Sequence, residues 1–188
     1  MIQGRLDLGG EPLTFAYTID TSSLMWLDGM NDSDGSTRYS PDEREAVWAG
    51  LDGLALRGRL KTITQVRHEL QRLHPEALEH LGRHGRLTYA PRVTNTVRTL
   101  YRLITAQFPG VVRPDWARDP ADPWLVAFAE VYGYSVITDE LLAIHHASRY
   151  KRSKIHLPDI CDGRTPKVPW LSLRSLAVQQ GWIVDQRV

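Results

Sequence analysis

The sequence predicts an α/β domain with a mainly parallel central sheet, and three features carry that prediction. Short β-rich runs alternate with helix-spaced apolar stripes along the chain. Residues 13–20, LTFAYTID, set Leu13, Phe15, Tyr17 and Ile19 on one face and smaller residues on the other, the pattern of a strand covered on both sides. The stretch DPADPWLVAFAEVYGYSVITDE, residues 119–140, passes from an apolar helix through a glycine into a β-rich run, with carboxylates at both ends.

The elements follow in order. After the first strand, residues 31–37 (NDSDGST) form a loop. Ser40, Pro41 and Glu43 then make an N-cap, a first-turn proline and a capping box, followed by Val47, Trp48, Leu51 and Leu54 at helical spacing. A short apolar-polar stretch at 59–64 leads to a helix in QVRHELQRLH, with Thr64 as its cap. PEALEHLGRHG is a short helix, and Val93, Val97, Leu100, Tyr101 and Ile104 mark another. Pro114 and Pro120 bracket a loop containing Trp116. Asp119 is then expected to cap a helix started by Pro120, with Leu125, Val126, Ala129 and Tyr132 on its apolar face and Gly133 at its end. YSVIT (134–138) is a strand, RYKRSK a basic loop, and WLSLRSLAVQQG the last helix. The pattern implies one domain over 1–188, with no element assigned to the polar leader 1–14.

Composition excludes some functions. Basic and acidic residues number 23 and 22, for a formal charge of +1, so a nucleic-acid partner would need a local basic patch. Cys161 is the single cysteine, which rules out an intrachain disulfide or a cysteine zinc site and fits a reducing compartment. No apolar stretch approaches the roughly 18 residues of a membrane span. A soluble, cytoplasmic protein with no membrane partner is expected.

The acids hold the chemical interest. Asp20 ends the first strand, where ligands of open parallel sheets bind, yet Asp there equally suits a turn or an N-cap. Glu69 falls on the apolar face with Val66 and Leu70, either reaching solvent or pairing with Arg67 or Arg72, or serving a buried site. Asp122 is a favourable first-turn acid on a face shared with Leu125, Val126 and Ala129. Asp139 and Glu140 follow the later strand, and in extended chain only one of two adjacent acids can enter one site. A parallel arrangement would bring Asp20 beside this pair, with the starts of the helices carrying Glu69 and Asp122 closing around them. Such all-oxygen clusters select hard divalent cations.

These residues resemble the PIN-domain ribonucleases, which include the VapC-type toxins. YTIDTSSL is similar to that family's first strand and acid, ITQVRHEL to its second motif, and ADPWLVAFAEVYGYSVITDE to its third. ADPWL, the T-x-E end and KIHLPDICDG resemble in particular a bacterial PIN subfamily of unknown function, over roughly residues 15–176. The resemblance implies a three-layer α/β/α sandwich and a metal-dependent endoribonuclease acting as the toxin of a toxin–antitoxin pair. It implies Asp20, Glu69, Asp122 and Glu140 as catalytic and metal-binding acids for one or two Mg2+ or Mn2+ ions. Ser22, Thr138 and Asp139 would support them. It further implies an RNA substrate, a small protein antitoxin and a homodimer. The alternative is a catalytically silent PIN-fold module that binds RNA or protein. Arg67, Lys151, Arg152 and Lys154 are the candidate phosphate contacts, and Trp26, Trp116 and Trp124 could stack on bases, although Trp48 and Trp124 lie in apolar stripes and read as core. None of the seven histidines stands in a catalytic spacing.

Overall fold

A computed structural model of the chain describes residues 16–30, 37–84, 88–89, 93–112, 120–146 and 154–184. Outside them lie the leader 1–14, Phe15, most of the 31–37 loop, Pro114, Trp116, Asp119, Lys151 and Arg152.

The sheet has five strands in the order β3-β2-β1-β4-β5, where β1 is Tyr17–Ile19, β2 Leu60–Thr62, β3 Thr88–Tyr89, β4 Ser135–Ile137 and β5 Trp170–Leu171. Every pairing is parallel, with Ile19 opposite Ile137 and Tyr17 opposite both Leu60 and Ser135. All three residues of β1 are buried, so both faces of the central strand are covered. This is the expected three-layer α/β/α arrangement.

One helical group centres on α6, Ala121–Tyr132, which packs on α5 (Asn95–Gln107), α3 (Thr64–Leu73), α7 (Leu157–Asp162), β1 and β4. Its run Leu125 to Ala129 is wholly buried, which explains why so apolar a helix forms here. Another group joins α2 (Pro41–Leu56) to α8 (Leu173–Gln179), through a pair of 2.9 Å contacts from the Arg174 guanidinium to Glu43. Ser40 and Glu43 form the expected capping box at the start of α2. Helix α4 spans Pro75–His84.

Several expectations are corrected. A seven-residue helix, α1 (Thr21–Leu27), follows β1 directly, and it is too short for its periodicity to stand out. Helix α3 is preceded by Ile63, and Thr64 is its first residue rather than its cap, without a side-chain capping bond. Thr94 caps α5 through the Val97 N–H, which leaves Val93 ahead of the helix and 37% exposed. Pro120 is the residue before α6, not its first. Tyr132 is 38% exposed rather than buried with the apolar face; it lies against Phe128 and Tyr134. The last helix loses its first residues to the sheet, because Trp170 and Leu171 pair with Val136 and Ile137, and Ser172 caps the shortened helix α8. Trp48 is core as expected, whereas Trp124 is partly buried and stacks on Tyr101 at 3.9 Å.

Gly50 in α2 sits where a Cβ would enter the ring of Trp182, a rigid neighbour, while a Cβ at Gly53 meets only the far end of the flexible Arg57 side chain. Alanine improves helix propensity at both positions by about 1 kcal/mol. At Gly50 the displaced indole should cost about 1–3 kcal/mol and reverse the sign. Urea denaturation should therefore find Gly53→Ala stabilised by about 0.5–1 kcal/mol and Gly50→Ala destabilised.

Candidate acidic cleft

The strand order changes direction between β1 and β4: the chain moves outward to β2 and β3 on one side and to β5 on the other. Strands that diverge in this way leave a crevice beyond their carboxyl ends. A cleft of about 760 Å³ opens there, and Asp20, Glu69, Asp122, Asp139 and Glu140 all line it.

Asp20 leaves β1 and caps α1. Its Oδ1 accepts the Thr21 N–H at 2.6 Å, and its Oδ2 accepts the Ser22 hydroxyl at 2.6 Å and the Thr138 hydroxyl at 3.2 Å. The cap and sheet-edge readings of Asp20 are thus both true of one side chain. Thr138 is fully buried at the end of β4 and also accepts the Glu140 N–H at 3.2 Å, so one hydroxyl couples the two strand ends. Ser22 and Thr138 therefore stand where they can orient Asp20.

Glu69 comes from the middle of α3, not its start, and bridges two elements. It accepts the Thr21 hydroxyl at 2.7 Å and the Ala121 N–H at 2.8 Å. The latter is the first amide of α6, which its preceding residue Pro120 cannot cap. Glu140 does the same for α7, accepting the Leu157 N–H at 2.8 Å. Asp139 turns away toward α8 and accepts the Leu173 N–H at 3.1 Å. The two adjacent acids thus separate, as extended chain requires. Each receives a helix-start donor, which favours a carboxylate. Asp122 lies in the first turn of α6 and, among the described residues, caps no other helix.

Electrostatics record the crowding. The Asp20 carboxyl is pushed up to about 7, first by burial, then by the charge of Glu140 and more weakly of Glu69, against the Ser22 and Thr21 hydrogen bonds. Asp122 is raised well above the usual carboxylate range by burial and then by Glu140, Asp20 and Glu69. Burial also raises Asp139, opposed by the Leu173 amide and Arg38. As the side chains stand, no group of three His, Cys, Asp or Glu among the described residues is arranged to hold a metal ion.

The cleft also has a basic side, only part of which was expected from the sequence. Lys154, a predicted phosphate contact, lines it; Arg67 is exposed on α3 and does not, nor do Arg57, Arg59, Lys61 or Arg72. Arg38, His145, His146 and His156 do line it. His156 places Nδ1 3.8 Å from Glu140 and its ring 4.2 Å from that of His146. The readable signal is a run of basic and imidazole residues from His145 to His156, wider than the RYKRSK segment alone. Arg38 has no such signal: it precedes an N-cap and reaches the cleft only through the tertiary fold.

Fold and site together define an α/β/α protein with an acidic cleft at the switch point of a parallel sheet. A family model matches residues 17–184, and the chain belongs to that family, DUF4411, described as a domain of unknown function. Neither the curated proteins nor the solved structures contain a match to it.

Thr21→Val removes the hydroxyl that holds Glu69 and should destabilise the protein by about 1.5–3 kcal/mol, the range for hydrogen bonds to charged groups, in denaturant titration. The raised carboxyl of Asp20 has a definite sign. The folded chain keeps its proton at pH values where the unfolded chain has released it, so its contribution is full below about pH 4 and is lost as pH rises toward about 7. In chelator, the unfolding free energy of the wild type relative to Asp20→Asn should fall across that window. A difference that stays level with pH would contradict the raised carboxyl of Asp20.

Proposed function

We propose that this chain is a metal-dependent endoribonuclease of the PIN type, hydrolysing RNA phosphodiester bonds in the cytoplasm as the toxin of a toxin–antitoxin pair. The observation that carries the reading is the convergence of Asp20, Glu69, Asp122 and Glu140, from four separate elements, on one cleft at the switch point. The toxin role, the small protein antitoxin and the homodimer rest on the resemblance to VapC-type proteins. No helix among the described residues is long and apolar enough to cross a membrane, which accords with this setting.

In its donor chemistry the acid set suits a hard cation. It is all oxygen, and burial, with mutual repulsion added to it, raises Asp20 and Asp122; a bound cation would relieve the repulsive part. Two carboxylates about 5 Å apart repel by roughly 3 kcal/mol at an effective dielectric near 20. Asp20, Glu69, Asp122 and Glu140 would hold one or two Mg2+ or Mn2+ ions. Such an ion supplies Lewis acidity toward a phosphate and a lowered pKa for an attacking water. The chain's own contribution is positional. Ser22 and Thr138 aim Asp20, and Thr21 with the first amide of α6 aims Glu69. Lys154 and Arg38 set positive charge against the phosphates.

One observation favours a second reading, a catalytically silent module: the acids are not arranged as a ligand set. Activity separates the two. Labelled RNA oligomers should be cut with Mn2+ while DNA is spared, and Asp122→Asn should lose at least about 100-fold in rate, the scale of one transition-state contact. Intact RNA would support the silent module, and cut DNA a different phosphoesterase. At an ion concentration 100 times Kd the stabilisation is about 2.7 kcal/mol, so the melting temperature should rise by roughly 5–10 °C. Asp20→Asn should shrink that rise, and a melting temperature indifferent to the ion would remove the metal site.

A further inference from the structure

The cleft has a second pole that the acids do not explain. Trp26, on the last turn of α1, lines it together with Arg38. The Arg38 guanidinium carbon lies 3.9 Å from the centroid of the Trp26 ring, well inside cation–π range. Arg38 Nη1 also donates to the carbonyl of Asp139 at 3.1 Å. That carbonyl belongs to the residue between Thr138 and Glu140. The planar pair is therefore tied by a direct hydrogen bond to the segment that carries the acids.

We infer that Trp26 and Arg38 form a nucleobase platform, which stacks one base of a single-stranded RNA and sets its phosphate toward the acidic end of the cleft. The inference rests on the ribonuclease reading and deepens it. Three features argue for a ligand rather than a decorative surface stack. The pair opens into the same cleft as the four acids. Its Trp26 stands six residues along the chain from Asp20, the N-cap of α1, about 9 Å of helix rise. Met25 and Met30 line the same cleft, so it offers apolar, polarisable surface as well as its acids. Guanidinium planes and indole rings both accept stacked bases, and arginine adds charge that a phosphate can meet. Stacking tolerates any base, so this subsite contributes affinity and register with little sequence preference.

The test measures binding apart from cleavage. Fluorescence anisotropy follows a labelled single-stranded oligoribonucleotide, and the same strand with abasic sites, on the Asp122→Asn protein in Mg2+. Trp26→Leu and Arg38→Gln should each weaken binding of the intact strand by about 5- to 100-fold, the range measured for loss of one base–aromatic stack. The abasic strand should bind weakly to all three proteins and be insensitive to Trp26→Leu. Arg38→Lys keeps the charge and the reach but not the plane, so it should restore the salt dependence without restoring the preference for intact bases. Thermal melting of each variant checks that the fold survives, and the two substitutions act on different elements. Equal affinity for intact and abasic strands in every protein would overturn the platform, even if wild-type protein cuts RNA in the parallel assay. No binding of either strand would overturn it as well, and the cleavage assay then decides the ribonuclease reading independently.

Discussion

The parallel pairing of β1 with β4 is the constraint on which the rest depends. Ile19 opposite Ile137 brings the residues that follow them, Asp20 and Thr138, to the same sheet edge, and the Asp20 N–H donates to the Ile137 carbonyl at 3.0 Å. Everything at the cleft is referred to that register. A slip of β4 by one residue would turn the fully buried Ile137 onto the opposite face, away from the packing it now has, so core packing enforces the register. The chemistry at the edge therefore inherits its geometry from apolar residues that take no part in it.

Crowding anions at such an edge is unfavourable, and the structure offsets it with amides. Helices α1, α6, α7 and α8 all begin near the cleft. Their first N–H groups are met by Asp20, Glu69, Glu140 and Asp139 respectively. Asp20 caps its own helix, while Glu69, Glu140 and Asp139 reach helix starts from elsewhere in the chain, one of them preceded by a proline that cannot cap. A region that looks like an electrostatic liability thus also secures four helix starts.

That double use explains which parts of the sequence could be read. Strand alternation, the Ser40 capping box and the apolar run of α6 are local signals, and they led to the correct fold class. The assignment of the four acids to one cleft was also legible, because each stands at a strand end or on a buried helix face. Elements of two residues, such as Thr88–Tyr89, carry too little pattern to be seen. Trp170 and Leu171 look helical in sequence because their pairing partner lies some thirty residues away. Arg38 was invisible for a similar reason: its contacts with Trp26 and Asp139 join residues far apart in the sequence. Long-range pairing, rather than local preference, decided each of these.

Because Asp20 starts α1, a descendant of this chain that had abandoned its chemistry would still be under pressure to keep an aspartate there, and loss of the cap alone costs about 1 kcal/mol. Glu69 and Glu140 are similarly retained by the helices they secure. Among the described residues Asp122 caps no other helix, and it bears the repulsion of its three neighbours as well as burial. Among related chains, then, the identity of the residue at this one position is the more informative marker of a working cleft, since architecture alone gives the least reason to preserve it.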